Sequence, residues 1–221
     1  MEPRLSRRLA AEALGTLFLL MAVVGSGIMG ERLAGGNMAL ALLANTLATG
    51  AALTVLIAIF APVSGAHFNP CITLYFALSG EIGFFQAALY TGVQIVSAIA
   101  GVWLAHAMFT APIFEISHKL RDGPAQWFSE FVATFGLLFT IAAAARFRAA
   151  WTPALVGLYI AAAYWFTAST SFANPAVTLA RALTNSFAGI APGSVPGFIG
   201  AQLAATLAGF VFLRWFLAPG N

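Results

Sequence analysis

Apolar runs alternate with short polar breaks along the chain. Six of them are long enough for a helix to cross a hydrocarbon core of about 30 Å, which takes ~20 residues. They lie at about Arg8 to Met29, Met38 to Phe60, Phe84 to Phe109, Ala125 to Ala145, Trp151 to Thr170 and Val195 to Leu217. Between them stand two shorter apolar pieces, Asn69 to Ser79 and Asn174 to Thr184, each opening with Asn-Pro. At about ten residues these cannot cross. Such segments are tolerated at membrane depth only where protein or a water-filled cavity satisfies their backbone ends, so both are candidates for re-entrant half-helices. The pattern predicts an all-α integral membrane protein, six transmembrane helices plus two re-entrant half-helices, in one domain over residues 1–221. The first apolar run continues past Leu20 into further spans, so no cleavable signal peptide is expected and Met1 is read as the mature start.

The two halves of the chain repeat one another, with repeat 1 at about 8–109 and repeat 2 at about 125–217. AEALGTLFLL at 11–20 aligns with SEFVATFGLL at 129–138, placing Glu12 on Glu130 and Thr16 on Thr134. HFNPCITLYFAL at 67–78 aligns with SFANPAVTLARAL at 171–183, placing Asn69 on Asn174, Pro70 on Pro175 and Thr73 on Thr178. GVQIVSAIAG at 92–101 aligns with GAQLAATLAG at 200–209, placing Gln94 on Gln202. Each copy holds an odd number of spans, so the second enters the membrane from the opposite side. The half-helices then dip in from opposite faces and meet near the midplane.

Composition and charge agree with this and narrow it. Hydrophobic residues make up 61% and charged residues 8%, against about 25% charged in soluble domains. That excludes soluble enzymes and nucleic-acid binders. Six of the ten Lys and Arg (Arg4, Arg7, Arg8, Arg146, Arg148, Arg214) fall on the side of the termini, and four (Arg32, Lys119, Arg121, Arg181) on the other. By the positive-inside rule the termini are expected in the cytoplasm, in a multi-pass protein of the inner (cytoplasmic) membrane. The single cysteine, Cys71, allows no intrachain disulfide, and His67, His106 and His118 have no metal-ligand spacing. No metal, cofactor or catalytic set is expected.

Asn caps a helix and Pro suits its first position, so each short helix should start at its Asn-Pro. Two positive dipole ends and two carboxamides would then face one cavity, repelling cations while offering donors to neutral oxygen atoms. Glu12 and Glu130 are ionisable groups inside spans, costly unless partnered, and their symmetry suggests a shared scaffold task. For Glu12, near a span end, snorkelling to the interface is the alternative. Gln94 and Gln202 read as hydrogen-bonding residues of the core.

These residues resemble the aquaporin and aquaglyceroporin superfamily, the major intrinsic proteins, in the six spans, SGAHFNPCIT at 64–73 and FANPAVT at 172–178. The resemblance implies a pore in each protomer of a homotetramer. Its motifs are Asn69, Pro70 and Cys71 with Asn174, Pro175 and Ala176, Cys71 standing where the family usually has Ala. It implies that Glu12 and Glu130 anchor the re-entrant loops, that His67 lies beside the pore, and that no enzyme activity is present. With its thiol at the start of a half-helix, Cys71 is expected to meet small reagents through the lumen.

Counting from the motif asparagines, the family's four filter positions fall on Thr49, Ala162, Ser171 and Val177. Val177 stands where most of these channels carry arginine, so the expected filter is wide and neutral, without ring or charge. Arg181, one turn beyond, is expected to reach the headgroups from the end of its half-helix. The set is similar to the AqpS-like channels of arsenic-resistance operons. That likeness implies a passive channel for small uncharged polar solutes: metalloid hydroxides such as arsenous acid, glycerol-like polyols and water. The alternatives are an ordinary water and glycerol facilitator, or a membrane junction protein with a closed pore. Small neutral solutes and the lipid bilayer are the expected partners, and no nucleic acid.

Overall fold

The computed structural model describes residues 3–218, so Met1 lies outside the described residues. Eight α-helices follow in order: α1 Leu5–Leu33, α2 Met38–Ser64, α3 Pro70–Leu78, α4 Phe84–Met108, α5 Pro124–Phe147, α6 Thr152–Phe166, α7 Pro175–Arg181 and α8 Val195–Phe216. Six are long and apolar enough to cross a membrane, once the short 3-10 turns Ala149–Trp151 and Pro192–Ser194 are counted with α6 and α8. The remaining two, α3 and α7, are the half-helices.

The boundaries follow local chemistry. Asn37 starts α2 by accepting from the N–H groups of Ala39 and Leu40 at 3.1 and 3.2 Å, and Gly65 ends it in the left-handed region at φ 89°. The fifth span stops at Phe166, short of the expected Thr170, because Thr167 turns extended and its hydroxyl caps the Ala163 carbonyl at 2.7 Å. The second half-helix ends at Arg181 and not at Thr184, leaving α7 two turns long.

Packing carries the repeat. In the first copy α1 lies against α2 and α4; in the second α5 lies against α6 and α8. The half-helices cross over: α3 packs on α8 as well as on α4, and α7 on α4 as well as on α8. The copies are joined where α2 meets α6. There Gly50 and Gly157 bring the backbones together, since a Cβ on Gly157 would stand 2.5 Å from the Gly50 carbonyl oxygen. Large apolar side chains such as Phe85, Val96, Leu158 and Val211 are exposed around the bundle, as a lipid-facing surface requires.

Six consecutive crossings put the α3 end of the bundle on the face of the chain termini. The 167–174 loop enters from the opposite face, here called the far face, which also carries the 110–123 connection.

Candidate functional site

Each re-entrant loop is held by a buried carboxylate. Glu12 accepts from the N–H groups of His67 and Phe68 at 2.9 and 2.7 Å, from the Ser64 hydroxyl at 2.7 Å and from Gln94 Nε2 at 2.8 Å. Glu130 accepts from the N–H groups of Phe172 and Ala173, both at 2.8 Å, and from Gln202 Nε2 at 2.6 Å. Each glutamine also donates to its half-helix, Gln94 to Thr73 Oγ1 at 3.0 Å and Gln202 to Thr178 Oγ1 at 2.9 Å. Both carboxylates are fully buried, so Glu12 does not snorkel.

The loops need this support. Ala66 and Phe68 in the first, and Ser171 and Ala173 in the second, hold φ values of 47–52°, which for non-glycine residues cost ~1–3 kcal/mol each. In a trans peptide the carbonyl points opposite to the N–H. With the N–H groups of His67, Phe68, Phe172 and Ala173 turned to the glutamates, the carbonyls of Ala66, His67, Ser171 and Phe172 turn away from them, toward the cavity that these residues line.

The asparagines do what their capping chemistry predicts and also lock the copies together. Asn69 Oδ1 accepts from Cys71 N at 2.8 Å, and Asn174 Oδ1 from Ala176 N and Val177 N at 3.0 and 3.3 Å. Across the junction, Asn69 Nδ2 donates to the Ala173 carbonyl at 2.7 Å and Asn174 Nδ2 to the Phe68 carbonyl at 2.8 Å. Pro70 and Pro175 occupy the first helical positions, and Ala176 is buried behind them.

A cavity of ≈ 200 Å³ runs past both asparagines, from Ala145 and Thr152 at the face of the termini to Arg181 at the far end. One wall is the loop backbone with Asn69 and Asn174; the other is aliphatic, with Leu19, Val23, Ile57, Leu137, Val156 and Ile160. His67 lies on the wall, its Nδ1 3.1 Å from Thr73 Oγ1 and its ring stacked on Phe76 with centroids 4.8 Å apart.

Of the four counted filter positions, Thr49, Ser171 and Val177 line this cavity. Ala162 does not. It sits on the exposed face of α6, and Tyr164 takes the wall position, its hydroxyl 3.4 Å from Thr49 Oγ1. Tyr164 stands ten residues before Asn174, so the segment joining the wall position to the motif is two residues shorter than the family's spacing of twelve supposes. Cys71 is likewise absent from the wall, its buried thiol lying beside Thr206 of α8.

Arg181 overturns the headgroup expectation outright. It is 2% exposed and lines the cavity. Its Nε donates to the Ala188 carbonyl, its guanidinium carbon lies 3.4 Å from the Phe172 ring centroid, and its Nη1 has no hydrogen-bond partner among the described residues. Arg121, from the 110–123 connection, stands 5.2 Å from the same ring. It donates to the carbonyls of Gly189 at 2.9 Å, Ser169 at 3.3 Å and Phe187 at 3.4 Å. Burial pushes Arg121 below its ordinary value, with Glu130 and Tyr164 opposing. Lys119 is also lowered, by burial first and then by the charges of Arg121 and Arg181. The far end of the cavity therefore has the Tyr164 ring and the Arg181 cation in its wall, with Arg121 against the same Phe172 ring as Arg181, where a bare neutral filter was expected. Tyr164 was legible in principle from its spacing to Ile160 and Val156 on one face of α6; Arg121, contributed by a loop, left no local signal.

Residues 1–171 match the Major intrinsic protein family. The chain is 57% identical over 217 residues to the aquaglyceroporin AqpS of Rhizobium meliloti (strain 1021), spanning 98% of this chain and 93% of that protein. It is 31% identical over 226 residues to the aquaporin TIP4-4 of Zea mays, spanning 97% and 88% respectively. Among solved structures, the aquaglyceroporin from Plasmodium falciparum shares the fold, with a TM-score of 0.72 at 20% identity over 96% of this chain and 95% of that one.

Proposed function

The chain belongs to the major intrinsic protein family, a family of membrane channels and not enzymes, and from that premise we propose that it passes small uncharged polar solutes passively in both directions. The solutes are water, glycerol-like polyols and metalloid hydroxides such as arsenous acid. The observation that carries the reading is the two-sided cavity wall. A row of outward-turned carbonyls and the two asparagines faces an aliphatic surface, and a neutral molecule bearing several hydroxyls matches both. One N–H of each asparagine is committed across the junction, which leaves the second for a passing oxygen.

Passive flow is supported by the carboxylates. Glu12 and Glu130 are saturated by loop donors behind the wall, so neither is free to take up and release a coupling proton. Thr49, Tyr164, Ser171 and Val177 form the constriction in this reading, with Val177 giving width where a guanidinium would take it. The motifs Asn69-Pro70-Cys71 and Asn174-Pro175-Ala176 form the junction, in a single channel domain. Assembly as a homotetramer in the inner membrane, with cytoplasmic termini, completes the proposal.

The test is uptake by proteoliposomes, followed by light scattering for water and glycerol and by arsenic content for arsenous acid. All three should exceed empty liposomes and respond to gradients of either sign. Flux of water alone would limit the function to a water facilitator; no flux of any of them would favour a closed junction protein.

A further inference from the structure

We propose that Arg181 and Arg121 make the far mouth of the cavity a binding site for small oxyanions, groups of carboxylate size bearing one negative charge. The proposal takes from the channel reading only that solutes reach this end of the cavity. Val177 brings no donor to the wall, but one helical turn later on the same face of α7 comes Arg181. It is 2% exposed, stacked on Phe172, and tied by Nε to the Ala188 carbonyl, while Nη1 is unpartnered. On the same wall Ser171 Oγ is also buried without a partner. Two donors on the wall of one cavity are thus without an acceptor among the described residues.

The charge is equally uncompensated. Arg121 gives its hydrogen bonds to the carbonyls of Gly189, Ser169 and Phe187 and to the Thr170 hydroxyl, and Arg181 gives its to a carbonyl. No carboxylate accepts from either among the described residues. Glu130 acts on both only from a distance, its oxygens already filled by Phe172, Ala173 and Gln202. Buried cations without a counter-ion are unfavourable, and an arginine fork matches the two oxygens of a carboxylate. A neutral solute supplies the missing acceptor but not the missing charge, whereas an oxyanion supplies both.

Acetate is the probe and acetamide its neutral isostere, with binding to the solubilised full-length protein followed by saturation-transfer NMR titration. Saturable acetate binding is expected, with acetamide roughly tenfold weaker or more, and Arg181→Met should weaken acetate by roughly tenfold or more. Arg121→Met should weaken it less, and Arg181→Lys should keep the preference for acetate. Equal affinity for acetate and acetamide in the unaltered protein would overturn the proposal, as would unchanged acetate affinity in Arg181→Met. If Arg181→Met does not fold, the acetate and acetamide comparison decides alone. Because binding and not flux is read, acetate binding without glycerol uptake would sink the channel reading and leave this one standing.

Discussion

Replacing Glu130 by glutamine removes one charge and one acceptor from the second loop with almost no change in shape. Glutamine can keep an oxygen for the Phe172 N–H, now 2.8 Å from the carboxylate, but its amide nitrogen then faces the Ala173 N–H and Gln202 Nε2. Gln202 can turn over and offer its Oε1, which has no partner among the described residues, but only by giving up the bond from its Nε2 to Thr178 Oγ1, so one conflict is exchanged for a lost hydrogen bond. The Ala173 N–H is left unpaired at ~1–3 kcal/mol, and the bond to Phe172 loses its charge assistance, for about 2–4 kcal/mol in all. That is comparable to the strain in Ser171 and Ala173, so the loop should relax and Val177 and Ser171 should shift in the wall. Glu12→Gln should cost a similar amount, because Gln94 Oε1 is available for the same exchange. The assay is thermal unfolding of the solubilised protein together with glycerol uptake: both variants should unfold earlier and lose uptake. Wild-type unfolding and uptake in both would refute the assignment of the glutamates as loop anchors.

Val177→Arg should narrow the constriction and place a third guanidinium beside Arg181, depressing glycerol and arsenous acid uptake more than water uptake; unchanged large-solute uptake would remove Val177 from the constriction. Tyr164→Ala should raise glycerol uptake relative to water, whereas Ala162→Leu should alter neither, since Ala162 faces outward; a strong effect of Ala162→Leu would restore the original count. Because the Cys71 thiol lies beside Thr206 and off the wall, small thiol reagents should leave solute uptake intact in both the unaltered protein and Cys71→Ala. Block of the former alone would return the thiol to the lumen.

The backbone of the fold was legible because bilayer physics leaves few choices. Run length marks the spans, and a doubled Asn-Pro in short segments marks half-helices of opposite entry. The anchoring carboxylates were legible for a related reason, since an ionisable group inside a span demands partners and two symmetric ones demand the same kind. The constriction was less so. Its α6 position depends on the length of the segment between that helix and Asn174, which is two residues shorter here than the family's spacing and leaves no mark in the motif itself. Arg181 was misread because a cation at a half-helix end has two fates, the headgroups or the pore. The Phe172 ring and the Ala188 carbonyl that select the second come from other segments. Arg121 reaches the site only through the folded 110–123 connection.

Passage of neutral solutes with exclusion of cations is the central expectation for this channel. One liposome preparation, holding the unaltered protein under a potassium clamp, can report glycerol uptake by light scattering and proton entry by a trapped pH dye. The opposed half-helix starts and the guanidinium at the mouth predict glycerol uptake well above empty liposomes, with proton entry at the empty-liposome level. Proton entry rising together with glycerol uptake, or glycerol uptake no faster than through lipid alone, would contradict it.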